Sequence, residues 1–167
     1  MGNLAHVKER SEVLSRAVEH IQKEAPHELI MLPFLGVFDN LAYKVVGPEV
    51  ILLGRVTRPT LKSNAENVVK KIEGVERVSN QIEVLPLSPF DNTLRLRLFR
   101  AIYDYAPLEK YALGVNKPIR IILENGHATL EGVVDNEVDK NITGIRASGV
   151  ADVFSVANNL QISKYLQ

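Results

Sequence analysis

Cysteine is absent from the 167-residue chain, which excludes thiolate catalysis, cysteine-based zinc sites, disulfides and attachment of a lipid to an N-terminal cysteine in the chain as given. An oxidising compartment suits this composition without being required by it. An excess of either charge is missing too. Lys plus Arg number 20 and Asp plus Glu number 20, for a formal net charge of zero, so no global field draws the molecule towards nucleic acid. There is no run of about 18 apolar residues, so no membrane span is expected. Met1, Gly2 and Asn3 lead directly into a charged helical pattern without the apolar core of a signal peptide. A secreted protein written without its signal would read the same way. What remains is ordinary globular usage, 46% hydrophobic and 24% charged, in a length that suits two small domains.

The chain is one unit written twice. A single ungapped offset lays Leu52, Gly54 and Val56 on Leu130, Gly132 and Val134, and lays Val75, Val78, Asn80, Ile82 and Val84 on Val153, Val156, Asn158, Leu160 and Ile162. A slightly larger offset pairs Ile21, Ala25 and Pro26 with Ile102, Ala106 and Pro107.

Each copy has the same order of elements. In the first, Val7, Leu14, Val18, Ile21 and Ala25 recur near a 3.6-residue period, which predicts a helix ending at Pro26. A strand over 41–46, a Gly47–Pro48 turn and a strand over 50–56 follow. Pro59 suits a first helical position, and that helix runs to about Glu73, where Gly74 supplies a left-handed stop. The last strand covers 75–84. The second copy repeats this with a helix over 93–105, a strand over 119–123, an Asn125–Gly126 hairpin turn and a strand over 128–134. Asn136 with Asp139 resembles a capping box that opens a helix stopping near Gly149, and a strand over 153–162 closes the copy. The fold class is therefore α+β: two tandem α-β-β-α-β modules, each a three-stranded mixed sheet packed under two helices. The expected domains are residues 1–85 and 93–167, with a short proline-containing linker over 86–92.

The segments Val50-Ile-Leu-Leu-Gly-Arg-Val56 and Ala128-Thr-Leu-Glu-Gly-Val-Val134 resemble the strand pattern of the BON domain, apolar-x-Leu-x-Gly-x-Val. Gly74-Val-Glu-Arg-Val-Ser-Asn80 and Asp152-Val-Phe-Ser-Val-Ala-Asn158 are similar to its closing pattern. Asp152 stands where the family has Gly, and Asp enters the left-handed region more easily than most residues. The resemblance implies a bacterial envelope protein, periplasmic or otherwise extracytoplasmic, tied to osmotic or envelope stress. It also implies binding of phospholipid surfaces or other macromolecules, and no catalytic residues.

The residues agree with a protein that is not an enzyme. His6, His20, His27 and His127 have no metal-ligand spacing and read as solvated surface, and nucleotide-binding and acyl-transfer signatures do not occur, so no metal or cofactor is expected. Gly54 and Gly132 mark a bulge or a close backbone approach. Asn80 and Asn158 read as residues that bond the local backbone. Two apolar features are left over. On the second copy's first helix, Leu94, Leu98, Ala101, Ile102 and Tyr105 form the stripe for the sheet. Leu96, Phe99 and Tyr103 then lie opposite, flanked by Arg95 and Arg100. That face fits an anionic phospholipid surface, or packing against the other copy or a second subunit. The other feature is the uncharged segment 29–38, with Leu32, Phe34 and Phe38, expected as an ordered loop that packs into its own domain or the domain interface, meets another subunit or wedges into a membrane. The function read from the sequence is a non-catalytic envelope module that contacts lipid or an envelope protein, with a self-assembling homo-oligomeric scaffold as the alternative.

Overall fold

Pro26 does not end the first helix. In a computed structural model that describes residues 3–164, α1 runs Asn3–Ile30 with Pro26 inside it. A proline there removes one backbone donor and strands the carbonyl four residues back. That carbonyl, on Gln22, accepts a bond from the Tyr43 hydroxyl at 3.4 Å, while the buried Ala25 and Leu29 hold the flanking turns on the sheet. The expected stop was overridden by tertiary packing.

The chain then forms β1 (Asn40–Val46), β2 (Glu49–Val56), α2 (Pro59–Lys70), β3 (Arg77–Asn80) and β4 (Glu83–Val84). The second copy gives α3 (Pro89–Tyr103), a 3-10 turn over Ala106–Ala112, β5 (Ile119–Glu124), β6 (His127–Val134), α4 (Glu137–Ser148), β7 (Ser155–Asn158) and β8 (Gln161–Ile162). Residues 1–2 and 165–167, the outer ends of the two expected domains, lie outside the described residues. In each copy the middle strand is central. β2 lies between β1 and the parallel β3 and β4, and β6 between the antiparallel β5 and the parallel β7 and β8.

The closing strands, expected as continuous runs, are each broken in the same place by the same device. Asn80 donates to the Lys62 carbonyl on α2 at 2.8 Å and accepts from the Ile82 amide at 3.2 Å. Asn158 donates to the Lys140 carbonyl on α4 at 2.8 Å and accepts from the Leu160 amide at 3.3 Å. An amide side chain can do both at once, so it ties the strand break to the middle of the covering helix and turns Ile82 and Leu160 into the two cores.

By compactness the chain divides into two units. One takes the described residues up to Leu35 together with Leu41–Val84; the other takes Gly36–Asn40 together with the described residues from Leu85 on. The first core holds Ile21, Ala25 and Leu29 of α1, Leu61, Ala65 and Val69 of α2, and Val50, Leu52 and Val56 of β2. The second holds Leu94, Leu98 and Ile102 of α3, Ala147 of α4, and the inward residues of β5 and β6. Most of the stretch expected as a linker is the start of α3, because Ser88 accepts a bond from the Asp91 amide at 3.1 Å and Pro89 fills the first helical position. At the other end α2 stops at Lys70, a turn before Gly74, which does adopt φ of 99°. Asp152, its counterpart, has φ of 72°.

Candidate functional site

On α3 the wheel assigned Tyr105 to the core and Tyr103 to the outside, and the structure reverses them. The helix ends at Tyr103, so a period of 100° per residue no longer applies at Tyr105. Tyr103 is buried, its hydroxyl donating to the Ile119 carbonyl at 2.6 Å and accepting from the Ile119 amide at 3.0 Å. Burial pushes its pKa above the ordinary value, against the Ile119 bond and the charge of Arg120. Tyr105 is partly exposed beneath the Arg146 guanidinium, 4.6 Å from the ring centroid.

Arg95 is a second correction. Expected as a free flanking cation, it is 5% exposed and donates to the Leu123 carbonyl at 2.8 Å and to Asn92 Oδ1 at 2.7 Å. Its Nε is the one buried side-chain nitrogen or oxygen without a partner among the described residues. Phe99 is half-buried in an aromatic row, with Phe38 edge-on at 6.4 Å and Tyr103 at 5.0 Å between centroids. Only Leu96 and Arg100 of the expected face are exposed. The 29–38 segment is likewise dispersed. Leu29 and Leu32 enter the first core, Phe38 packs on the second, and Phe34, 73% exposed, lies under Arg58 with 5.1 Å from guanidinium to ring.

The repeated residues hold backbone. Gly54 and Gly132 adopt φ of 115° and 120°, and a Cβ on Gly132 would overlap the Pro118 carbonyl oxygen, a close backbone approach at the start of β5. All four histidines are exposed, and among the described residues no three His, Cys, Asp or Glu side chains gather to hold a metal ion.

A polar cluster that sequence reasoning did not single out caps α4. Lys110 Nζ lies 2.8 Å from Asp139 and 3.0 Å from Asp135, and the Tyr111 hydroxyl donates to Asp139 at 2.5 Å while accepting from the Asp135 amide at 2.9 Å. Burial pushes the Tyr111 pKa up to about 12. For Asp139 burial works in the opposite direction from its partners, but the Lys110 and Tyr111 bonds outweigh it and hold the carboxyl below its ordinary value. These bonds fasten the 3-10 turn to the N-terminus of α4. A carboxyl with a depressed folded pKa contributes stability above its unfolded value, and that contribution is lost as pH falls through the folded one. Asp139→Asn is therefore expected to cost stability at pH 7, with the deficit shrinking below about pH 4. Denaturant titrations at pH 7 and pH 3 check this.

One apolar surface left open among the described residues is the first half of α1. The stripe that buries Ile21, Ala25 and Leu29 continues towards the N-terminus as Leu4, Val7 and Leu14, which are 83%, 62% and 47% exposed. On the helical wheel Lys8 and Arg10, both exposed, border this stripe on its two sides, and Glu9 and Glu12 point away. The sequence showed the stripe, but not that the sheet stops short of half of it. Beside it, Val13, Leu14 and Pro48 line a groove of about 440 Å³ together with the charged Glu9, Arg10 and Glu76. No helix among the described residues is long and apolar enough to cross a membrane.

The model of the BON domain matches this chain twice, over residues 38–86 and 110–164. Among curated proteins, none matches. Two solved structures match it at 13% identity. One is CdsD, a structural protein of the type III secretion system of Chlamydia trachomatis, covering 90% of this chain and 92% of that one with a TM-score of 0.31. The other is the C-terminal domain of the same protein, covering 87% and 96% with a TM-score of 0.29.

Proposed function

Because the chain belongs to the BON domain family, with two copies of the domain in tandem, we propose that it is a non-catalytic binding module of the bacterial envelope that docks on an anionic phospholipid surface outside the cytoplasm. The envelope-stress or osmotic-stress setting associated with such domains is part of the same reading. The observation that carries it is the exposed half of α1. Leu4, Val7 and Leu14 offer an apolar stripe, and Lys8 and Arg10 flank it. A helix with this distribution lies in the headgroup plane, its apolar side chains inserted and its cations near phosphates. The α3 face supports the reading less well, since Arg95 and Tyr103 are buried and Phe99 is half-covered.

Flotation of the full chain with phosphatidylglycerol-containing vesicles tests it. Val7→Ser with Leu14→Ser removes apolar groups that the native fold leaves in water, so binding is expected to fall roughly tenfold or more without loss of fold. Lys8→Gln with Arg10→Gln removes about 1 kcal/mol per cation and flattens the salt dependence. If vesicle binding is absent from the start and Val7→Ser with Leu14→Ser instead lowers the mass seen by light scattering, the stripe serves self-assembly and the lipid reading fails.

A further inference from the structure

Gly36–Asn40 follows α1 and ends on the first residue of β1, yet it packs as part of the second unit. Its contacts there are those of a bound ligand. The Val37 carbonyl accepts from the Ile121 amide on β5 at 2.8 Å, and Arg120 donates to the Gly36 carbonyl at 2.6 Å. Phe38 meets Phe99 edge-on. Asp39, 3% exposed, closes the turn by accepting from the Gly36 amide at 2.9 Å, and its negative charge acts on both Arg95 and Arg120.

Those two arginines make the seat selective. Burial depresses the pKa of each guanidinium, and nearby carboxylates, Asp39 among them, oppose the effect on Arg95, as Tyr103 and Asp39 do on Arg120. A desolvated cation is costly unless an anion answers it, so the seat demands a carboxylate beside an aromatic ring. The segment is also entered under tension. Phe34, two residues before Gly36, holds φ of 68°, a left-handed conformation that strains a bulky L-residue. We propose that the second unit carries a docking groove for a peptide turn with an aromatic residue next to a carboxylate, and that Val37-Phe38-Asp39 is its built-in occupant, which a partner protein's segment of the same chemistry displaces.

The test empties the groove in the 167-residue chain with Phe38→Ala and Asp39→Ala, and adds a synthetic peptide with the sequence of residues 33–41. The emptied chain is expected to bind this peptide at least about tenfold more tightly than the wild type, whose own segment occupies the groove for most of the time. Binding should restore slow exchange at the Ile121 amide, and a peptide carrying Asp39→Lys should not bind. Phe34→Gly, which relieves the entry strain, should slow Ile121 exchange below that of the wild type. A folded, emptied chain that ignores the peptide, or takes the Asp39→Lys peptide equally, overturns the proposal. If the second unit unfolds both in the double variant and in the milder Phe38→Leu with Asp39→Asn, the segment is a fixed part of the core and the proposal also fails.

Discussion

Gly132→Ala is expected to destabilise the second unit by about 3–5 kcal/mol, more than any other single-methyl change considered. Two costs add. Gly132 has φ of 120°, a region that L-residues with a Cβ essentially avoid. The new methyl would also overlap the Pro118 carbonyl oxygen, which is backbone and is held in place because its neighbour Ile119 pairs with Gly132 across the β5–β6 ladder. Gly126→Ala makes a useful contrast. Its Cβ would meet the Phe154 ring, a 68% exposed side chain that can swing away, so the loss there should be near the cost of φ alone, roughly 1 kcal/mol. Since the chain has two units, a single melting midpoint is a poor readout. Amide exchange in β5 and β6 measures the unit concerned, and equal protection in Gly132→Ala and wild type would show that the close approach is wrong.

Asp91→Ala is expected to cost a similar 3–5 kcal/mol in the same unit. The carboxylate is fully buried and accepts from the amides of Asn125 at 2.8 Å and Gly126 at 2.9 Å, the tip of the β5–β6 hairpin. Its removal leaves the buried Gly126 amide unpaired, at about 1–3 kcal/mol, frees the part-buried Asn125 amide, and takes from Arg95 one of the charges that offset its burial. Asp91→Asn keeps one acceptor oxygen and should fall between alanine and wild type. Denaturant unfolding followed at the β5–β6 amides checks the order, and an alanine variant as stable as asparagine would contradict it.

The duplicated residues were legible because they answer to backbone geometry, which a repeat preserves. Gly54 and Gly132 sit at matching positive φ, and Asn80 and Asn158 make the same pair of bonds eighteen residues from their helix carbonyls. Asn125–Gly126 made a left-handed turn because little else fits there. What misled the reading was long-range satisfaction of polar groups. Pro26 read as a stop because the partner for the Gln22 carbonyl is Tyr43, which lies on a strand and not on the helix. Tyr103 and Arg95 read as surface because their partners, Ile119 and Leu123, are carbonyls of β5. The seating of Gly36–Asn40 in the second unit had no signal in periodicity, since a five-residue turn has none. The start of α3 was different: Ser88-Pro89 with Asp91 is a helix-start pattern, and it was there to be read.

The chain contains no tryptophan, so one introduced indole reports on one place. Val7→Trp, on the exposed half of α1, should shift its emission to shorter wavelength when phosphatidylglycerol vesicles are added, and lose the shift in high salt as the attraction of Lys8 and Arg10 is screened. Leu96→Trp, on the exposed part of α3, should not shift. A blue shift at position 96 with none at position 7 would contradict the account and return the binding surface to α3; no shift at either would remove the phospholipid surface from it.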